Sequence, residues 1–326
     1  MMRELEPTPH TLIDVSKPRF GSFSGGLPRI DLGSTGRSTL WNFAHEKRWI
    51  YAGVANEAHY VGVAVVSLGY AATAIVYVFD RRTGRMLFDR SFMAPPTAVR
   101  FEDDGPGARR ATFAFGRTRI DLSDRRVRID AGDKRGPLFV DVTTRAIAAP
   151  AIGAVVPIPS GFASATEKRL FEGEGELVAE SKRLSLGGSL VALDHTRGFL
   201  ARRTVWRWAL GLGRLASGER VAFNVVEGFV GEPECVAWVG DALVPLGEGR
   251  ISFDQPMGEW RLDTTCGALS VVFRPSALHS EEKNLGVVKS SFIQPVGAFD
   301  GTLRVGDETH ALTRIAGVTE HQDVLW

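Results

Sequence analysis

The sequence predicts an all-β fold of antiparallel strands, and three observations lead to this prediction. Apolar and polar residues alternate, so that Val221, Phe223 and Val225 share one face of a strand, and residues 269–273 repeat the pattern. Glycine-containing turn signals separate such segments at short spacing. Helical periodicity is nearly absent, with one short helix expected over residues 276–285. Many short strands joined by frequent turns indicate a sandwich or an antiparallel barrel.

Length and charge limit the classes of protein to consider. The 326 residues correspond to roughly two domains of ordinary size, with enough chain to bury a core in each. Lys and Arg number 39 against 38 Asp and Glu, which gives a formal net charge of +1, and 44% of the residues are hydrophobic. This composition argues against a disulfide-stapled miniprotein and against a disordered chain. It also provides no overall field that would attract nucleic acid or an anionic membrane.

The beginning of the chain and the cysteines bear on the compartment. The first twenty residues carry charges and three prolines, and they contain no apolar core of the kind that a signal peptide needs. We therefore expect a cytoplasmic protein. The two cysteines, Cys235 and Cys266, show no CxxC spacing, so we expect them to pack as small apolar groups.

One stretch is uncharged and almost long enough to cross a bilayer as a helix, residues 61–79. Two features favour a β-hairpin instead. The centre of the stretch, residues 67–70, suits a chain reversal, and both halves are rich in valine, isoleucine, tyrosine and phenylalanine. A second uncharged stretch, residues 146–165, contains three prolines that suit an extended segment. We predict no integral membrane segment.

Motif searches argue against the common cofactor classes. The sequence has no dinucleotide fingerprint, no P-loop lysine, no HExxH and no GxSxG elbow. Its seven histidines are scattered, and Glu320, His321 and Asp323 are more typical of a hydrogen-bonded chain end than of zinc or iron ligands. Residues 202–210 mix arginine with tryptophan, as single-strand nucleic-acid platforms do, but they stand alone in a neutral chain. We predict no cofactor, no metal and no nucleic-acid partner.

Chemistry-bearing side chains are concentrated in one part of the sequence. An apolar strand leads into Asp194, His195 and Arg197, and Trp206 and Trp208 follow. On a strand the two indoles point to one face, where they can wall a pocket for a flat or apolar ligand or face a cation with their π clouds. The same residues also fit a core pair beside a structural salt bridge. The pattern alone leaves both interpretations open.

These segments carry a resemblance to known proteins. The runs LDHTRG, TVWRWA, FNVVEG and EPECVAW, with the tail SSFIQPVGAFDGTLRVG and IAGVTEHQDVLW, resemble the bacterial domain-of-unknown-function family numbered 2804. The likeness extends from about residue 47 to Trp326. That family is similar, more remotely, to duplicated lipocalin-like proteins that include hydroxyneurosporene synthase (carotenoid 1,2-hydratase) and tocopherol cyclase. The glycine-rich element at residues 173–178 supports this link, and Cys235 departs from the family's pattern, which has asparagine there.

The resemblance implies two antiparallel lipocalin-like barrel domains in tandem, residues 1–200 and 201–326, with a cleft where they meet near Gly198. The implied ligand is an apolar small molecule, terpenoid or lipid-like, which the protein would protonate and so hydrate, isomerise or cyclise. Asp194 or His195 would supply the proton, and the two tryptophans would face the resulting cation. The ligand-binding candidates are Arg197, Trp206, Trp208, Asn224, Glu234, Trp238 and Gln294.

Two other functions fit the same residues. A non-catalytic carrier of lipids or small molecules would use the same cavity, and a structural protein would have filled barrels and no cavity. The sequence does not decide whether the protein is an enzyme, which barrel interior is open, or how many copies assemble.

Overall fold

In the computed structural model, which describes residues 3–14, 17–32, 37–134, 136–284, 286 and 288–326, the chain folds almost entirely into strands. Two large curled sheets follow one another along the chain. The described residues contain one α-helix, α1 (Thr39–His45), and two 3₁₀ turns, Pro96–Ala98 and Glu232–Glu234. The predicted all-β fold of two lipocalin-like barrels in tandem is confirmed. No helix in the described part of the chain is long and apolar enough to span a bilayer.

The first sheet uses strands that end at residue 199. In chain order the strands of this half are β1 (Glu6–Pro7), β2 (Ile13–Asp14), β3 (Lys17–Pro18), β4 (Gly21–Ser24), β5 (Glu46–Ala55), β6 (His59–Ser67), β7 (Ala72–Asp80), β8 (Arg85–Ala94), β9 (Val99–Asp103), β10 (Arg109–Phe115), β11 (Thr118–Ser123), β12 (Arg126–Asp133), β13 (Gly136–Ala146), β14 (Ile152–Pro157), β15 (Ala163–Ala179), β16 (Lys182–Ser185) and β17 (Ser189–Phe199). The main path of the sheet is β8-β7-β6-β5-β17-β15-β13-β12-β11-β10-β9, and β14 joins it by pairing with β15. Strands β2 and β3 form a separate small hairpin.

The second sheet begins at residue 203. Its strands are β18 (Arg203–Arg214), β19 (Arg220–Gly228), β20 (Val236–Val239), β21 (Ala242–Pro245), β22 (Gly249–Phe253), β23 (Trp260–Thr264), β24 (Leu269–Asn284), β25 (Lys289–Val305) and β26 (Glu308–Leu325). Their order is β21-β20-β19-β18-β26-β25-β24-β23-β22. The last strand, β26, therefore lies in the middle of the sheet between β18 and β25, which holds the apolar end of the chain in place.

Two sequence predictions about local structure have opposite outcomes. The hairpin over residues 61–79 is confirmed, since β6 and β7 pair and the Leu68 N–H donates to the Ala71 carbonyl at the tip, at 2.9 Å. The helix over residues 276–285 is wrong. Residues 276–284 belong to β24, which pairs with β25 along its length apart from a bulge after Pro275, and Leu285 lies outside the described residues. Pairing with β25 gives the backbone its partners, whereas a short isolated helix is marginal.

Strand β17 separates two apolar cores. Val191 and Leu193 point into the interior of the first sheet, which an apolar cluster fills. Leu190 and Ala192 point to the opposite face and join a second cluster, built mainly from the second sheet. Successive side chains of a strand point to opposite faces, so the two clusters lie back to back across β17. The cavity described below therefore lies outside the packed interior of the first sheet, between the two sheets.

Contacts between side chains fix the two sheets relative to each other. Nδ1 of His279 on β24 lies 2.5 Å from Oδ1 of Asp89 on β8. The ring of Tyr51 on β5 meets the ring of Trp208 on β18 edge-on, with centroids 5.2 Å apart. These contacts set the width of the space between the sheets.

Gly317 on β26 illustrates how closely the strands of the second sheet approach. A Cβ atom at this position would lie 2.1 Å from the carbonyl oxygen of Leu210 and 2.6 Å from Cε2 of Phe299. We expect Gly317→Ala to lower the free energy of unfolding by about 1–3 kcal/mol, because the strands must shift to admit the methyl group. The matched control is Gly132→Ala, whose Cβ atom would have its nearest neighbour at 3.5 Å and which should change the stability by less than about 0.5 kcal/mol. Urea unfolding measures both, and equal losses would contradict this account.

Candidate functional site

A cavity of about 260 Å³ lies between the two sheets and opens to the surface. Its walls come from β5, β6 and β7 on one side and from β18, β25 and β26 on the other. Most lining side chains are apolar, and the aromatic ones are Trp49, Tyr51, Tyr70, Trp206, Trp208, Phe229, Phe292 and Trp326. The polar side chains at its buried end, called the floor below, are Lys168, Asp194, Glu234, Gln294 and Glu320. An apolar cavity with a few convergent polar groups is the usual form of a small-molecule site.

Strand alternation decides which residues of β17 reach this cavity. Asp194 and Thr196 line it, whereas His195 and Arg197 lie on the opposite face of the strand. The expected grouping of Asp194, His195 and Arg197 around one site is therefore wrong for the last two. The physical reason is the two-residue period of a strand, which cannot turn positions 194 and 195 to the same side.

His195 and Arg197 belong to a buried polar layer of the first sheet. Nε of Arg109 donates to Nδ1 of His195 at 2.8 Å. Burial, and then the charges of Arg48 and Arg109, lower the pKa of His195 well below its ordinary value of 6.5. Its imidazole is thus neutral at physiological pH and is not the imidazolium ion that would act as a general acid. Arg197 is held by Glu46, with Nε donating to Oε1 at 2.7 Å.

Lys168 on β15 joins two of the carboxylates at the floor. Its Nζ contacts Oδ2 of Asp194 and lies 3.0 Å from Oε2 of Glu234. Burial acts to lower the pKa of Lys168, but the two carboxylates outweigh it and raise the pKa to about 12. Lys168 is therefore a fixed cation, and Asp194 is a charge-paired carboxylate. The described residues hold no group of three or more His, Cys, Asp or Glu side chains able to bind a metal ion.

Glu320 on β26 has different hydrogen-bond partners from Asp194 and Glu234. Its Oε1 accepts a hydrogen bond from Nε1 of Trp206 and its Oε2 accepts one from Nε2 of Gln294, both at 2.6 Å. Both donors are neutral. Burial raises the pKa of Glu320 to about 7, although the two hydrogen bonds act to lower it. At neutral pH both protonation states of Glu320 are populated, which is the property required of a general acid.

Tryptophans from both sheets form the wall above the floor. The rings of Trp49 and Trp206 are parallel to within 7°, with centroids 6.5 Å apart, and both line the cavity. Trp208 lines it as well, so the two indoles of β18 share one face as predicted. Nε1 of Trp208 donates to Oδ1 of Asn224 at 2.7 Å, which fixes the ring. The wall thus offers π faces to an apolar or cationic group.

The remaining candidates divide between the cavity and its support. Glu234 and Gln294 line the floor. Asn224 lies behind the wall and donates from Nδ2 to the backbone carbonyl of Glu234 at 2.9 Å. Trp238 is buried, and its Nε1 donates to the carbonyl of Pro150 at 2.8 Å. Cys235 is buried beside the backbone of β19 and does not line the cavity.

Sequence reasoning missed Lys168, Trp49 and the role of Glu320. Lys168 stands opposite Asp194 in the register of β15 and β17, and Glu320 stands opposite Trp208 in the register of β26 and β18. Register between distant strands is not visible in one sequence. A signal for Glu320 was present, since it is in phase with the apolar residues Val318 and Val324, and a carboxyl group on the apolar face of a strand is unusual.

Comparison with known proteins gives the family of the chain. The model of DUF2804, a domain of unknown function, matches residues 20–326. The chain belongs to this family. No protein of curated function matches it in sequence.

Two solved structures share the fold. The crystal structure of CghA with Sch210972 has a TM-score of 0.56 at 10% sequence identity and covers 97% of each chain. The structure of kievitone hydratase from Nectria haematococca has a TM-score of 0.53 at 13% identity and covers 94% of this chain and 97% of that one. At these identities the likeness establishes the fold alone.

The raised pKa of Glu320 makes the stability of the protein depend on pH. A carboxyl group whose pKa rises from 4.5 to about 7 on folding stabilises the native state while it is protonated. This contribution is lost as the pH rises through 7. We therefore expect the stability of the wild type relative to Glu320→Gln to fall by about 2–3 kcal/mol between about pH 5 and pH 8. Urea unfolding at several pH values measures this difference. Thr309→Ala, at an exposed position on the same strand that carries no titratable group, is the control and should give a difference that does not change with pH; a constant difference for Glu320→Gln as well would contradict the raised pKa of Glu320.

Proposed function

We propose that the protein binds an apolar small molecule, terpenoid or lipid-like, between its two sheets and protonates a carbon–carbon double bond of that molecule. Glu320 is the proposed acid. The observation that carries the proposal is the position of this carboxyl group, at the buried end of an apolar, aromatic-walled cavity, where it accepts hydrogen bonds from the two neutral donors described above. Such surroundings keep a carboxylic acid protonated near neutral pH.

The proposed reaction balances without a cofactor. The proton of Glu320 forms a C–H bond with one carbon of the double bond, which leaves a carbocation on the other carbon and a carboxylate on Glu320. Water then adds to the cation and returns a proton to Glu320, so that the net change is hydration. Transfer of a neighbouring proton from the cation to the Glu320 carboxylate gives isomerisation. Cyclisation follows when an internal hydroxyl captures the cation and passes its proton to Glu320, or when an internal double bond captures it and the new cation loses a proton to Glu320.

Two features of the cavity favour a positive charge on the bound molecule. The faces of Trp49 and Trp206 attract a cation, most strongly where water is excluded. At the floor the single charge of Lys168 stands against the formal charges of Asp194 and Glu234. The excess of negative charge grows when Glu320 gives up its proton, and these groups are fixed before the reaction begins.

The floor residues take different parts in this proposal from those expected from the sequence. Asp194 is paired with Lys168, so its role is to stabilise the cation as a carboxylate and not to protonate the substrate. His195 takes no part, since it faces the other side of β17. Lys168 and Gln294 are the groups that would bind a polar end of the ligand.

The structural neighbours support a small-molecule function by analogy of fold. One of them is named a hydratase, and the other was crystallised with a small molecule. Fold alone does not fix an activity, so the proposal depends on the cavity and on Glu320.

The bound molecule is the first test. Native mass spectrometry of the purified protein, followed by extraction into organic solvent, should find an apolar molecule carried by the wild type. Trp206→Ala removes an aromatic wall, so we expect it to lower the affinity for the extracted molecule by about tenfold or more. Phe115→Ala, an exposed aromatic position on β10 that is distant from the cavity, should bind as the wild type does. Equal binding by both variants would exclude the cavity as the site.

Chemistry is tested separately from binding. With the extracted molecule or a panel of terpenoid alkenes in D₂O, we expect the wild type to incorporate deuterium into the product. Glu320→Gln should retain binding and lose turnover by at least about 100-fold, because no acid remains. Asp194→Asn should retain the acid and lose cation stabilisation. Binding by the wild type without deuterium incorporation would overturn catalysis and leave a carrier.

A further inference from the structure

We propose that Tyr77 is a positioning residue for the acid of the cavity, because its hydroxyl fixes the Gln294 amide in the orientation that donates to Glu320. The inference rests on the proposed role of Glu320, and its geometry does not depend on the identity of the ligand. Tyr77 lies on the first sheet, whereas Gln294 and Glu320 lie on the second. A residue of the first sheet would thus influence the protonation of Glu320 on the second sheet.

The argument begins with the two ends of the Gln294 side chain. The hydroxyl of Tyr77 donates to Oε1 of Gln294 at 2.7 Å, and Nε2 of Gln294 donates to Oε2 of Glu320 at 2.6 Å. An amide has an acceptor at one end and donors at the other. When Tyr77 occupies the acceptor end, the donor end is directed at Glu320. Rotating the amide by half a turn would place oxygen against oxygen at Glu320 and leave the Tyr77 proton against an N–H group.

The hydroxyl of Tyr77 ends a chain of buried hydroxyl groups whose direction follows from its donation to Gln294. The hydroxyl of Tyr51 lies 3.1 Å from that of Tyr77 and 3.0 Å from that of Tyr60. Each hydroxyl has one proton, and Tyr77 uses its own for Gln294, so Tyr51 donates to Tyr77 and Tyr60 donates to Tyr51. Burial raises the pKa of Tyr77 well above its ordinary value of 10, so it stays a donor over the whole physiological range.

Packing holds the ring of Tyr77 where this chain requires it. The ring crosses Gly62, its partner in the register of β6 and β7, and a Cβ atom on Gly62 would lie 2.1 Å from Cζ of Tyr77. The ring of His279 stacks on Tyr77, with centroids 5.8 Å apart, and the ring of Tyr60 lies parallel to it at 6.3 Å. Tyr77 has no exposed surface. Its hydroxyl therefore has no alternative position in the folded protein.

The orientation of the Gln294 amide therefore affects the pKa of Glu320. A hydrogen bond from the Gln294 amide favours the carboxylate form, and burial favours the acid form. The balance between them brings the pKa near neutrality. Weakening the amide donation should shift the balance towards the acid, so that Glu320 releases its proton less readily.

The test reads the titration of Glu320 in the protein without ligand. Nε1 of Trp206 donates to Glu320, so the chemical shift of its indole N–H should follow the protonation of that carboxyl group in ¹⁵N NMR spectra. Trp206→Phe identifies the signal. We expect a midpoint of about 7 for the wild type and a midpoint about one pH unit higher for Tyr77→Phe.

Tyr60→Phe is the matched control, since it removes a hydroxyl from the same buried cluster without touching Gln294. Its midpoint should stay with that of the wild type, whatever the two variants do to the melting temperature. Equal midpoints for Tyr77→Phe and Tyr60→Phe would overturn the proposal. If Tyr77→Phe does not fold, Gln294→Leu removes the amide that Tyr77 orients. An unchanged midpoint for that variant would also overturn the proposal. A shifted midpoint together with no deuterium incorporation would leave the positioning role standing and refute the proposed catalysis.

Discussion

The two-residue period of β15 and β17 is the constraint on which the rest of the site depends. These strands pair so that Lys168 stands opposite Asp194 and Glu167 stands opposite His195. Lys168 and Asp194 face the cavity between the sheets. Glu167 and His195 face the polar layer of the first sheet, where Arg109 bridges them. Two buried charged groups thus lie back to back across one sheet. Because a register slip would exchange them, the site and the first sheet are specified together.

The carboxyl groups of the floor differ in whether a charged group is their partner. The ion pairs with Lys168 offset much of the free energy cost of burying Asp194 and Glu234. The two carboxylates in turn keep Lys168 charged. Glu320 has two neutral donors, and burial raises its pKa to about 7. Burial also raises the pKa of Glu234, but there the charge of Lys168 opposes the shift. Carboxyl groups whose surroundings separate their proton affinities are the usual basis for assigning acid and anion in one site. In the proposed mechanism Glu320 therefore supplies the proton, and Asp194, which is ion-paired with Lys168, supplies the negative charge.

Much of this protein could be predicted from its sequence, and the failures have physical causes. Alternation and turn signals predicted the strands, and the pairing of Trp206 with Trp208 on one face followed from the same rule. Applied to positions 194, 195 and 197, that rule would also have separated His195 and Arg197 from Asp194. The contacts of Glu320 could not be found in this way, because its partner Trp206 is 114 residues away and the register of β18 with β26 joins them. The mistaken helix at residues 276–285 arose where a strand carries polar residues on its cavity face, which hides its alternation.

The position of the cavity has a consequence for how specificity and acidity are related. The interior of the first sheet is filled, so a ligand has to lie against both sheets at once. The contacts between the sheets include His279 with Asp89 and Tyr77 with Gln294, and the second of these connects to Glu320 on the floor. A substitution that moves one sheet away from the other would therefore lengthen the hydrogen bond from Tyr77 to Gln294, whereas the two bonds to Glu320, from Gln294 and Trp206, lie within the second sheet. In a barrel that bound its ligand internally, the size of the cavity and the strength of the acid could change independently. Between two sheets they change together, because the hydrogen bond from Tyr77 to Gln294 both joins the sheets and orients the amide that donates to Glu320.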